Sequence, residues 1–199
     1  MARGSTRHTM GEQFDGILAA AQAGGEWAVA VLYRELQPAV VRYFRSRTGQ
    51  DAEDLAAETW LDVARGLRAF SGPEGAFRSW VFTIAHRRLV DHRRAVARRP
   101  VTISMTTDEN ASSPSAADLP AGDDTASAAL AGLVGDDAVR RIVEILPADQ
   151  AEIVLLRVVA GLGADEVSRI TGRRPGTVRV LQHRALRRLA EKLDLEAGL

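Results

Sequence analysis

The chain contains no cysteine. Disulfides, thiolate zinc sites, iron–sulfur clusters and a cysteine nucleophile are therefore excluded, and the absence fits a reducing compartment without proving one. Net charge is missing too: 26 basic side chains face 26 acidic ones in 199 residues, so no basic arm or acidic tail dominates the whole. Lysine is almost absent, since Lys192 stands alone beside 25 arginines. Arginine is the side chain suited to bidentate phosphate and base contacts, and a GC-rich genome gives the same bias. No stretch approaches the ~18–20 uncharged apolar residues of a membrane span. The longest tight apolar stretch runs only from Trp27 to Tyr33, and the polar first ten residues lack the apolar core of a signal peptide. A cytoplasmic protein without membrane insertion is expected. There is no phosphate-binding glycine loop and no Gly-x-Ser-x-Gly elbow, so neither a cofactor nor a catalytic residue is expected.

What is present is unevenly placed. Residues 50–65 carry one basic and five acidic side chains, residues 78–99 seven and one, residues 101–139 none and seven, and residues 173–190 six and none. Two arginine blocks are thus separated by an acidic stretch and preceded by an acidic helix candidate. Residues 100–128 are rich in Ser, Thr, Ala, Asp, Gly and Pro and show no helical stripe, which predicts a flexible acidic linker. The layout predicts domains at 12–99 and 129–195. An acidic stretch so placed would shield the basic faces in the free protein, a reading that deletion of 104–126 would test.

Both flanks read as all-α. Phe14, Ile17, Leu18 and Ala21 recur at helical spacing before Gly24-Gly25. A second helix is expected from Glu26 toward Arg47, kinked or split at Pro38, and a third over about 51–69 with an acidic first turn. The loop Ser71–Gly75 leads to a fourth over about 76–97. No period-two strand pattern occurs. Further helices are expected near 130–146, 148–160 with Pro147 as an early residue, 164–170 and 175–193. The last two, separated by Thr171-Gly172, have the helix-turn-helix layout.

In that layout the second helix enters the major groove. Val178, Leu181, Ala185 and Leu189 should face inward, which leaves Arg179, Val180, His183 and Arg184 outward, where Arg suits guanine and Val a thymine methyl. Arg173, Arg174, Arg187 and Arg188 flank them and suit phosphates. The other block interleaves Phe77, Trp80 and Phe82 with Arg78, Arg87, Arg88, Arg93, Arg94, Arg98 and Arg99, a pairing suited to unstacked single strands. Trp80 is expected to be partly core and Phe82 the more exposed. Asp54 and Glu58 share one helix face and suit a basic protein partner. His86, Asp91 and His92 are the one metal-like group, but the histidines fall on different sides of a helix, so no metal site is expected.

DAEDLAAETWLDVARGL (51–67) with FRSWVFTIAHRRLVDHRR (77–94) resembles the second domain of extracytoplasmic-function sigma factors of the sigma-70 family. LPADQAEIVLLRVVAGLGADEVSRITGRRPGTVRVLQHRALRRL (146–189) is similar to their fourth domain. The resemblance implies two small helical domains and a polymerase subunit that selects promoters. Core RNA polymerase would be met through Asp51, Asp54, Leu55 and Glu58, on the beta-prime clamp helices, with further contact at the beta flap. The loop 70–77, with Ser71 and Gly72, would capture a flipped base. Phe77, Arg78, Trp80, Phe82, Arg87, Arg88, Asp91 and Arg94 would handle the −10 element. Arg173, Arg174, Thr177, Arg179, Val180, His183, Arg184 and Arg187 would read the −35 element. An anti-sigma protein is the implied regulator. Two positions depart from the family pattern: His86-Arg87 stands where Arg-Asn is frequent, and Ala57 where Gln is usual. The competing readings are a stand-alone, dimeric helix-turn-helix repressor or activator, and a metal-dependent hydrolase built on His86, Asp91 and His92; the resemblance favours a chain that is not an obligate homo-oligomer.

Overall fold

All ten aromatic side chains fall between Phe14 and Phe82, so the two arginine-bearing parts must build different cores. The structure, a computed structural model, describes residues 11–98 and 135–197. The predicted linker 100–128, the beginning of the second domain at 129–134 and the shielding role of the acidic stretch lie outside the described residues. Among the described residues there is helix and no strand.

The first region comprises α1 (Phe14–Gln22), α2 (Glu26–Thr48), α3 (Ala52–Gly66) and α4 (Glu74–Arg98). Phe14, Leu32, Leu36, Tyr43, Phe44, Phe77, Phe82 and Leu89 are buried in its centre. Of the two outcomes expected at Pro38, a kink or a split, the split does not occur: α2 runs on through it. An internal proline costs about 3 kcal/mol, but the buried Leu36, Val40 and Val41 lie on either side of it, and burying such side chains contributes about 1.5–3 kcal/mol each. α3 lies antiparallel to both neighbours. Arg45 meets Glu53 at 2.5 Å and Trp60 donates to Gln37 at 2.5 Å on the α2 side; Arg88 meets Asp62 and Glu58 on the α4 side.

The second region has an aliphatic core. It comprises α5 (Asp136–Ile145), α6 (Ala148–Val154), α7 (Ala164–Thr171) and α8 (Pro175–Ala197). Pro147 sits just outside α6, where its carbonyl accepts the Ala151 amide at 2.9 Å. The predicted helix 148–160 forms, but Leu155–Val159 winds as a π-turn. All five of its residues, Arg157 among them, are buried, as are the flanking Ile153, Val154 and Ala160. α7 starts where the Glu166 carboxylate accepts the Gly163 amide at 2.7 Å. It stops at Gly172, whose φ of +71° suits glycine.

The two regions touch. His86 Nδ1 of α4 lies 3.5 Å from Glu152 Oε1 of α6, and Arg47 of α2 donates to the Ala148 carbonyl at 3.3 Å. A cleft between α2 and α5 is lined by Arg42, Arg45, Ser46, Val139, Arg140, Val143 and Glu144.

Candidate nucleic-acid interface

α8 presents the alternation that groove reading requires. Val178, Leu181 and Ala185 are buried and Leu189 is half-buried, while Arg179, His183 and Arg184 are exposed and Val180 partly so. Arg174, Arg187 and Arg188 are exposed at the rim, with Arg173 and Thr177 half-buried at the helix start. Two of these cations have acidic neighbours: Arg179 lies 4.0 Å from Asp165 and Arg187 lies 3.3 Å from Glu191. These are exposed pairs of the kind that contribute about 0–1 kcal/mol and exchange readily for phosphate. The turn before α8 is tied down by the Ser168 hydroxyl, which donates to the Arg173 carbonyl at 2.5 Å.

The inward stripe is not purely apolar. Gln182 is buried on it, and its amide oxygen accepts Arg157 Nε at 2.8 Å. Arg157 Nη1 also donates to the Leu162 carbonyl at 2.6 Å. Sequence reasoning singled out neither residue. The available signal was a polar side chain, Gln182, at an inward position beside Leu181.

In the first region, the loop after α3 is held from below. The Gln22 amide donates to the carbonyls of Leu67 (3.0 Å) and Phe70 (2.8 Å). The Phe70 ring stacks on Trp80 at 5.1 Å and meets Phe77 edge-on at 5.3 Å. Ser71 and Pro73 are exposed, and Gly72 has a φ of +145° open only to glycine. A Cβ on Gly72 would also come 3.2 Å from the Ala76 Cβ. The loop is thus an exposed bend on a rigid aromatic base.

Several expected contact residues are placed otherwise. Phe82 is fully buried rather than exposed, because it packs edge-on against Tyr43 at 5.9 Å. Phe77 is fully buried between Phe14 and Phe70, so its ring supports the loop and cannot stack on a base. Trp80 is half-buried, as expected. Leu55 is 6% exposed and belongs to the core, since its face of α3 turns inward. Arg88 is engaged by Asp62 and Glu58. The hydrogen bond to Asp62 holds that carboxyl below its ordinary range and pushes the Arg88 guanidinium up. Arg78 sits 3.6 Å from Glu74, and Asp91 3.8 Å from Arg94. Arg87 and Arg94 are exposed.

The acidic helix turns a stripe outward. Asp54, Ala57, Glu58 and Leu61 follow i, i+3, i+4, i+7 and are all exposed, Leu61 by 57%. Beside it, the Tyr33 ring packs at a tilt against Trp60 with centroids 4.9 Å apart; near the start of α2, Trp27 is 61% exposed. Leu61, Tyr33 and Trp27 were missed from sequence, although Leu61 continues the Asp54–Glu58 spacing. Asp51 lies 3.3 Å from His92.

His86, Asp91 and His92 do not converge. His86 turns to Glu152, His92 to Asp51 and Asp91 to Arg94. Among the described residues no group of three or more such side chains could hold a metal ion. His86 instead joins a packed polar cluster. Its Nδ1 lies 3.2 Å from the Tyr43 hydroxyl. Burial lowers its pKa, opposed by Glu152 and reinforced by Arg93 and Arg47. Burial also pushes the Tyr43 hydroxyl far above its ordinary value and the Arg47 guanidinium down. No described helix is long and apolar enough to cross a membrane.

Comparison with known proteins places this geometry. The family model described as Sigma-70 region 2 matches residues 32–99, and that described as Sigma-70, region 4 matches residues 136–189. The ECF RNA polymerase sigma factor SigD of Mycobacterium tuberculosis is 33% identical over 192 residues, covering 92% of this chain and 85% of its own. ShbA of Streptomyces griseus, another ECF sigma factor, is 34% identical over 175 residues, covering 83% and 87%. The solved structure of CnrH in complex with the cytosolic domain of CnrY shares the fold, with a TM-score of 0.56 at 19% identity over 90% of this chain and 96% of that one. Two family matches in order along one chain disfavour the stand-alone repressor or activator. The chain belongs to the extracytoplasmic-function sigma factors of the sigma-70 family and is an RNA polymerase sigma factor.

Proposed function

We propose a division of labour for these surfaces in promoter-directed initiation. The outward stripe of α3, Asp54, Glu58 and Leu61, docks on core RNA polymerase, with Tyr33 at its edge. The loop Ser71–Gly75 receives an unstacked −10 base, and Arg87 and Arg94 hold nearby phosphates. Arg179, Val180, His183 and Arg184 read the −35 duplex, and Arg173, Arg174, Arg187 and Arg188 bind its backbone. The protein carries out no bond chemistry of its own and works in the cytoplasm beside the polymerase. An anti-sigma protein that covers these same faces is the expected regulator, just as CnrH is found in complex with the cytosolic domain of CnrY.

The observation that carries this reading is the outer face of α8, where Arg179, His183 and Arg184 are exposed together while the opposite stripe is buried. The test is run-off transcription with purified chain and core polymerase on a promoter library. Promoter-selective transcripts that depend on added chain are expected. Absence of core polymerase binding at every salt concentration would refute the reading.

A further inference from the structure

A buried arginine hydrogen-bonded to a buried glutamine is an unusual way to attach a recognition helix. Val178, Leu181 and Ala185 already form an apolar seam on α8. Apolar side chains at 157 and 182 would continue it, and replacing a buried polar pair by apolar groups is often neutral or stabilising. What an apolar seam does not give is a fixed register. Apolar surfaces tolerate small slips, whereas a hydrogen bond holds its atoms to within a few tenths of an ångström. On a helix, one residue of slip is about 1.5 Å of translation and about 100° of rotation.

Arg157 constrains two places at once. Nε binds the Gln182 amide oxygen of α8, and Nη1 binds the Leu162 carbonyl in the turn that leads into α7. Both nitrogens belong to one planar guanidinium, so the α7-side turn and α8 are set at a fixed separation. Arg157 lies at the centre of the π-turn Leu155–Val159 and is buried there. Gln182 is adjacent to His183, two residues from Arg184 and three from Arg179. A shift at Gln182 is therefore passed directly to the side chains that reach the bases.

We propose that Arg157, acting through Gln182, is a positioning residue that sets the register of α8 in the major groove and so the sharpness of −35 discrimination. This rests on the assignment of −35 reading to α8. Arg157 touches no DNA; its influence is on where Arg179, His183 and Arg184 arrive.

The test uses the full chain with core polymerase. Holoenzyme transcribes a promoter library with a randomised −35 hexamer, and transcript sequencing gives the preference profile. A pre-opened bubble template without upstream duplex serves as control, and thermal unfolding reports stability. R157M and Q182L should each flatten the preference by about tenfold, the discrimination of one well-made base contact, with bubble transcription unchanged. Q182E, which keeps an acceptor for Arg157, should retain the profile. The double variant R157M/Q182L should regain the stability that either single variant loses, but not the preference. A folded R157M with the wild-type profile overturns the proposal, as does a double variant that regains preference together with stability. If the single variants fail to fold, Q182E and the double variant decide the matter. R179A and R184A separate the two readings: if they leave the profile intact while R157M flattens it, the reading face lies elsewhere on α8 and the role of Arg157 stands.

Discussion

Gly66 closes α3 directly above the six-membered edge of Trp80, and adding one methyl group there tests the packing beneath the loop Ser71–Gly75. A Cβ on Gly66 would lie 2.7 Å from Trp80 Cζ2 and 3.2 Å from Cη2. The backbone itself welcomes alanine, since φ is −91° and ψ −11°. Two effects therefore compete. Helix propensity favours Ala by about 1 kcal/mol. Overpacking costs about 1–3 kcal/mol, because Trp80 cannot swing away: Phe70 stacks on it at 5.1 Å and Phe77 flanks it at 5.8 Å. The expected net effect of Gly66→Ala is a loss of about 1 kcal/mol, or about 2–4 °C in Tm for a chain of this size. Differential scanning calorimetry measures it. The sharper arm is the W80F background, where the indole edge that collides is gone. There Gly66→Ala should reverse sign and stabilise by up to about 1 kcal/mol. A variant at least as stable as the wild type, or equal effects in both backgrounds, would show that Trp80 does not hold the α3 end and refute the reasoning.

Other expectations are as concrete. Arg179→Glu or Arg184→Glu should abolish −35-dependent transcription while core polymerase binding, measured by gel filtration, is retained; unchanged promoter choice would remove them from the reading face. Replacing Arg174 or Arg188 by Ala should lower the salt slope of duplex binding by about 0.9 for each phosphate no longer neutralised, read from affinities across a salt series. Gly172→Ala should destabilise the second region by about 1–2 kcal/mol, because a Cβ is strained at φ +71° even with open space around it; wild-type thermal stability would contradict this. The folded chain should lose stability in acid. Burial lowers the His86 pKa, reinforced by Arg93 and Arg47 and opposed by Glu152. The folded state thus takes up fewer protons there than the unfolded one, so this contribution is greatest above about pH 6.5 and falls as the pH drops below it. Thermal unfolding across a pH series should show the loss, and H86L should remove the trend; an H86L variant with the same pH dependence as the wild type would disprove it.

Much of this was legible in order and spacing. The Phe14–Ala21 stripe, the α8 seam and the exposed arginines opposite it follow directly from 3.6-residue periodicity. What escaped depends on partners distant in sequence. Phe82 reads as exposed only until Tyr43 of α2 covers it, and Arg88 reads as a phosphate ligand until Asp62 and Glu58 claim it. Pro38 predicts a kinked or split helix, and the split is a local preference that the burial around it overrides. The π-turn around Arg157 leaves no local signature, since Leu155–Val159 fits an ordinary helix equally well.

The packing of one region on the other also sets a thermodynamic threshold. Elements named for positions −10 and −35 are about 25 base pairs apart, or about 85 Å at about 3.4 Å each. With His86 and Glu152 3.5 Å apart, α7 against α4 and α8 against α7, the packed regions are expected to part before both proposed surfaces meet elements so widely spaced. The 36 residues between Arg98 and Gly135 can extend to about 120 Å, so the chain length permits the span. Each 1.4 kcal/mol that holds the regions together therefore lowers the apparent affinity for a whole promoter about tenfold, while leaving affinity for an isolated −35 duplex untouched wherever α8 remains open. The regions' mutual affinity, rather than base contacts alone, then sets how much polymerase binding must contribute before a promoter is occupied.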